Sequence, residues 1–186
     1  MASLQELIWK LEENLRQNPN ADIGEILTRS QIDFNDWVSY AFVRESKGCN
    51  RNLIFDEPDL FRLTLSVWRP KTQNGMHDHG QSKCYFKVLR GILEENHYHG
   101  DGHIANMEYR QGEVCSIVDI GTCHQMLNNM DAFSVSLHVY IPPFDSCNTY
   151  AEPGGAAIPV TPSFISRYGF AVDRNSRLLR ADNFLA

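Results

Sequence analysis

The stretch GMHDHGQSKC at 75–84 sets His77 and His79 one residue apart and Cys84 five residues past the second histidine. In an extended strand alternate side chains share a face, so two imidazoles spaced this way reach one cation while Asp78 points away. A third donor is offered by GTCHQMLN at 121–128, where His124 follows a glycine turn. Three neutral histidines leave a divalent cation its full charge and open positions for anionic ligands, a substrate thiolate among them. With Cys84 as a fourth ligand the site would instead be closed, of the structural-zinc kind. His79 and Cys84 differ by an odd number, so a regular strand puts them on opposite faces, and a bend near Gly80 is needed to turn both inward. A solvated polar strand end that binds nothing is the third alternative the residues leave open.

These side chains need a scaffold, and from about Leu60 the sequence alternates with period two. LFRLTLSVW, KCYFKVLRG, ILEENHYH, IANMEYRQG, EVCSIVDI, CHQMLNN and AFSVSLHVYI are short runs rich in β-branched and aromatic residues, separated by turn formers. Such a rhythm predicts a closed or sandwiched antiparallel sheet. In AFSVSLHVYI, Ser136, His138 and Tyr140 share one face and Leu137, Val139 and Ile141 the other. The aliphatic face is assigned to packing and the Ser/His/Tyr face to a cavity. Upstream, Ser3 and Glu6 suggest a capping box before Leu4, Leu7, Ile8, Leu11 and Leu15 at helical spacing. Two further helices are expected, around Ile23 to Thr28 and from Phe34 to Val43. A short strand is possible within SFISRYGF.

With 186 residues, 42% apolar and 22% charged, the chain is expected to be one globular domain: a helical segment about 3–45, a barrel about 50–170 and a tail at 171–186. A net charge of -6 without clustered Lys or Arg argues against nucleic acid. The sequence shows neither a signal peptide nor a membrane span, so a cytosolic monomer is expected, and its five cysteines, odd in number and without CxxC spacing, are read as reduced thiols. HYHGDGH at 97–103 holds another pair of alternate histidines, but its glycines point to a solvated loop tip, and Glu94 and Glu95 are taken as surface charge. Trp68 is either core or pocket wall.

The spacing of His77, His79, Cys84 and Gly91, followed by Gly121, His124 and Asn128, resembles the two-part signature of the cupin barrels, with Cys84 where a glutamate is usual. The fold class implied is mainly β, a jelly-roll-type antiparallel barrel with short N-terminal helices. Within that superfamily, Arg51-Asn52-Leu53, Trp68, HDHGQSKC, LRG at 89–91, His124 and SLHVYIPPFDSC at 136–147 together resemble the cysteine dioxygenases, over roughly residues 36–170. The resemblance implies that His77, His79 and His124 bind Fe(II) and that Arg51 pairs with the substrate carboxylate through its fork of donors. It implies a thioether crosslink between Cys84 and Tyr140, a relay from Ser136 and His138 to that tyrosine, and oxidation of L-cysteine by O2 to cysteine sulfinic acid, a step of cysteine catabolism and taurine biosynthesis. The sequence departs from many members in carrying Cys49 two residues before the arginine where they have tyrosine, in a DIGTCH turn one residue longer, and in Pro162. Other expectations weighed are a different thiol acid such as 3-mercaptopropionate as substrate, a zinc or manganese isomerase or hydrolase, and a cupin that binds a small carboxylate without turnover.

Overall fold

Strands form where β-branched and aromatic residues alternate between two faces. In the computed structural model, which describes residues 3–100, 102–119, 121–172 and 179–180, those strands build two facing sheets. One runs in the order Phe170–Ala171, Ser166–Arg167, Cys49–Glu57, Phe61–Trp68, Ser134–Ile141, Lys83–Arg90, Val114–Ile117. The other runs Ile158–Val160, Cys147–Tyr150, Met76–His77, Cys123–Asn128, Ile92–His99, Gly102–Arg110, with Thr72–Gln73 also paired to Cys123–Asn128. Among the described residues every pairing is antiparallel except that of Ser166–Arg167 with Asn52–Leu53. This is the cupin-type barrel with short N-terminal helices that the sequence predicted.

The strand Ser134–Ile141 is covered on both faces. Its Val135, Leu137 and Val139 join Leu63, Leu65 and Val67 in a core that the N-terminal helices complete from outside the barrel. Helix Leu4–Gln17 contributes Leu4, Leu7, Ile8, Leu11 and Leu15, and its Ser3 cap accepts the Glu6 N–H at 3.2 Å. Helix Ile23–Arg29, capped by Asp22, adds Ile23 and Leu27. Each such aliphatic side chain, fully buried, contributes about 1.5–3 kcal/mol. The opposite face presents Ser134, Ser136, His138 and Tyr140 to the barrel interior, all buried. There Tyr140 packs in a second cluster with Trp68, Cys84, Phe86, Leu93 and Met126, side chains drawn from both sheets.

One expectation is corrected, and two further stretches are specified. The helix anticipated over Phe34 to Val43 stops early: Phe34–Trp37 is helical, Val38–Tyr40 is a 3-10 turn, and Phe42–Val43 is a strand paired with Leu179–Arg180. Asn52 causes the switch, since its side-chain amide accepts the Phe42 N–H at 3.3 Å and donates to the Phe42 carbonyl at 3.2 Å, capturing backbone a helix would use itself. Second, Cys49–Glu57 is a strand although CNRN has low strand propensity. Asn50 and Asn52 are fully buried there because their amides hydrogen-bond backbone groups on neighbouring segments. Third, SFISRYGF is a hairpin of two short strands, Ser166–Arg167 and Phe170–Ala171. Residues 173–178 and 181–186 of the tail lie outside the described residues. Among the described residues no helix is long and apolar enough to cross a membrane.

Candidate metal centre

His77 ends the strand Met76–His77 and sits opposite His124 in register, so sheet pairing joins two segments far apart in sequence. His79 lies just beyond the strand end, and Gly80, at φ +61°, provides the bend that its position before Cys84 requires. All three imidazoles are buried, and one ring nitrogen from each lies within 4.8 Å of the others. Asp78 faces the other way, as expected. It accepts the Asn148 N–H and side-chain amide, both at 2.9 Å, the Tyr150 hydroxyl at 2.7 Å and the Gly80 N–H at 3.1 Å. This clamp ties the two-histidine turn to the strand Cys147–Tyr150.

The ring nitrogens are sorted by their partners. His77 Nδ1 lies 2.9 Å from the Gly75 carbonyl and His124 Nδ1 lies 2.5 Å from Glu95 Oε1, acceptors that require N–H at both positions. The Nε2 atoms of His77 and His124 face each other at 3.2 Å. Buried His79 Nε2 has no hydrogen-bond partner among the described residues. Burial, then the neighbouring His124 imidazole, hold His77 and His79 well below the usual histidine range, so both are neutral. Ring nitrogens converging at this distance fit a cation: two nitrogens bound at about 2.1 Å and a right angle lie about 3 Å apart. Among the described residues Cys84 does not belong to this donor set.

The interior face of Ser134–Ile141 carries a connected relay. Trp68 Nε1–H donates to Ser136 Oγ at 2.8 Å, so Trp68 is a buried donor. Ser136 Oγ lies 2.8 Å from His138 Nε2, and burial draws His138 down to about 3 and keeps it neutral. His138 Nδ1 lies 4.0 Å from Cys84 Sγ. Cys84 and Tyr140 are direct cross-strand partners. Burial pushes the Cys84 thiol and the Tyr140 phenol up, so both keep their protons. The relay thus reaches Cys84, with the Tyr140 ring stacked 6.0 Å from that of His138.

Two arginines line the small cavity beside His77 and Tyr140, which has a volume of about 20 Å³. Arg62 is committed: it pairs with both oxygens of Asp56 at 2.9 Å, with Asp145 at 3.0 Å and with the Phe144 carbonyl. Among the described residues no hydrogen bond or ion pair engages the Arg51 guanidinium, although it lies against His77 and Tyr140. A wetter groove of about 410 Å³, bordered by Cys49, Asn74 and Pro162, opens from Arg51 and His77 to the surface.

Glu95 escaped the sequence reading. It is fully buried, not surface charge, and the bonds from His124 and His97 outweigh the cost of burial and pull its carboxyl down to about 2. The signal available was period two, since Glu95 follows Leu93 on the inward face of Ile92–His99. His97 likewise belongs to that strand and lies 2.8 Å from Glu95, so the loop tip expected over 97–103 is confined to the turn at Gly100.

Comparison with known proteins follows this geometry. The family model for cysteine dioxygenase type I matches residues 1–153, beginning earlier and ending sooner than the 36–170 anticipated. Human cysteine dioxygenase type 1 is 26% identical over 156 residues, 80% of this chain and 78% of that protein. The Danio rerio protein of the same name is 27% identical over 179 residues, 90% and 88% of the two chains. Among solved structures, the cupin domain of Schizosaccharomyces pombe Cnp3 aligns with TM-score 0.45 and 12% identity over 50% of this chain and 64% of its own. A double-stranded β-helix protein from Klebsiella pneumoniae aligns with TM-score 0.46 and 14% identity over 67% and 91%. Because the family model matches through most of its length, the chain belongs to the cysteine dioxygenase type I family.

Proposed function

We propose that the protein is an iron-dependent dioxygenase that oxidises the thiol of L-cysteine with O2 to cysteine sulfinic acid. Both oxygen atoms end on sulfur, so the reaction balances without an external reductant. The observation that carries this reading is Arg51, a guanidinium without a hydrogen-bond or ion-pair partner among the described residues beside three converging histidines, while its neighbour Arg62 is paired with Asp56 and Asp145. Fe(II) held by His77, His79 and His124 would supply the redox chemistry that joins a thiol to O2.

The chain's own residues bind and orient. Three uncharged imidazoles leave the charge of the ion uncompensated, which favours an anionic sulfur over a neutral thiol of pKa about 8.5. Arg51 holds the carboxylate by two parallel hydrogen bonds, which sets the position of the thiol. Tyr140 keeps its phenol proton and borders the same cavity, where it is placed to donate to the substrate or to O2. The space around Arg51, His77 and Tyr140 adjoins the larger groove that opens from Arg51 and His77, which gives a small amino acid a way in. Cys84 and Tyr140, cross-strand partners beside this space, are the pair we assign to a thioether crosslink. The five free thiols suit a reducing compartment such as the cytosol.

The test is O2 uptake by iron-loaded protein given cysteine, with the product identified by mass. Equimolar uptake and sulfinate formation are expected. Turnover only with 3-mercaptopropionate would replace the substrate, an active zinc or manganese form without O2 uptake would replace the reaction class, and saturable binding without turnover would leave only a carboxylate-binding protein.

A further inference from the structure

We propose that Glu95 is a positioning residue, which fixes His124 with its proton on Nδ1 and lends the three-histidine site a negative charge from outside the donor set. This rests on the three histidines holding a metal, not on the identity of the reaction. The strand Ile92–His99 pairs with Cys123–Asn128 and sets Glu95 against His124 with no exposure to solvent. A carboxylate buried this way costs several kcal/mol unless donors surround it. His124 Nδ1 at 2.5 Å from Oε1 and Cys115 Sγ at 3.4 Å from Oε2 do so, and His97 Nε2 lies 2.8 Å from Oε2 at an ion-pair distance. Tyr109 donates its hydroxyl to Cys115 Sγ at 3.0 Å, so the chain of donors runs from Tyr109 through Cys115 to Glu95. Every hydrogen in it points toward the carboxylate.

The consequence is asymmetric. His77 is backed by a neutral carbonyl, that of Gly75, whereas His124 is backed by a full negative charge. A charge-assisted bond at Nδ1 draws that proton toward Glu95, makes Nε2 a stronger donor and locks the ring in place. A site that keeps carboxylates out of its donor set thereby receives one unit of negative charge at one remove. Such carboxylate partners of metal-bound histidines are typically worth 10–100-fold in metal affinity.

Glu95, His97 and Cys115 also lie within 4.8 Å of one another and form a donor trio of their own. A cation held there would engage Oε2 and offset the negative charge that Glu95 presents to His124 through Oε1, so the two roles compete, and stoichiometry separates them. The experiment is Co2+ binding by chelator competition, without cysteine or turnover, on the wild type, Glu95→Gln and the outward-facing control Glu94→Gln. Glutamine keeps the length and the acceptor oxygen but removes the charge. One Co2+ per chain is expected, with affinity about 10–100-fold weaker in Glu95→Gln, unchanged in Glu94→Gln, and a more positive Fe(III)/Fe(II) potential in iron-loaded Glu95→Gln. Wild-type affinity and potential in Glu95→Gln would overturn the proposal, as would a second Co2+ abolished by Cys115→Ser. Should Glu95→Gln not fold, Glu95→Asp decides: withdrawing the carboxylate by one methylene should weaken binding, and unchanged binding would overturn the proposal. Because none of these readouts uses cysteine oxidation, failure here leaves the dioxygenase reading standing, and absence of turnover leaves this test intact.

Discussion

Asp78→Asn tests whether the clamp behind the two-histidine turn holds it in place. Asp78 is buried and accepts four hydrogen bonds, two at Oδ1 from the backbone N–H groups of Asn148 and Gly80, and two at Oδ2 from the Asn148 amide and the Tyr150 hydroxyl. Asparagine can retain the Oδ1 pair but puts an NH2 against the Asn148 NH2, so one bond becomes a donor–donor contact and the rest lose their charge. Hydrogen bonds to a charged group contribute about 1.5–3 kcal/mol each, and the site is not fully shielded, so the expected loss is about 2–3 kcal/mol. For a chain of this size that lowers Tm by about 5–10 °C. Burial raises the Asp78 carboxyl, but the bonds from Asn148, Tyr150 and Gly80 outweigh it and set the folded value below the ordinary one. A depressed carboxylate stabilises above its unfolded pKa of about 4 and loses that contribution as pH falls through the lower folded value. The Tm gap between wild type and Asp78→Asn should therefore be full at neutral pH and shrink below about pH 4. Thermal unfolding of both metal-free proteins across pH 3–8, followed by circular dichroism, measures it. A gap absent at pH 7, or constant down to pH 3, would refute the assignment of Asp78 as a charged clamp.

Arg51→Ala should lower kcat/KM for cysteine by about 30–1000-fold, the cost of a lost buried carboxylate partner, with iron content unchanged; steady-state O2 uptake and metal analysis check both. Arg62→Ala should instead lose stability, by about 2–4 kcal/mol in urea unfolding, because it leaves Asp56 unpaired next to the cavity. Ser136→Ala removes the acceptor of Trp68 and the hydrogen-bond partner of His138, so about 1–3 kcal/mol of stability and much of the turnover should go while metal content holds. Intact mass after turnover should show a species lighter by about two hydrogens, with Cys84 and Tyr140 recovered in one linked peptide, and Cys84→Ser should abolish it.

What the sequence determined by itself is what depends on neighbours in the chain. The period of two over Ser134–Ile141 already separates Leu137 from His138, and the structure packs the first under the helices and turns the second into the barrel. The same parity demands the turn at Gly80 that lets His79 and Cys84 both point inward. The spacing of His77, His79 and His124 likewise marked the donors that sheet register brings together. Tertiary structure decided everything that rests on a distant partner. Glu95 reads as a surface carboxylate until Ile92–His99 pairs with Cys123–Asn128 and buries it against His124, because a charge goes inside only where donors from other strands surround it. Arg51 and Arg62 are alike as letters, and only the placement of Asp56 and Asp145 leaves the first available and occupies the second. Phe42–Val43 gives up its helix to the Asn52 amide for the same reason: local preference is worth tenths of a kilocalorie per residue, and a buried amide left without its bonds costs several times more.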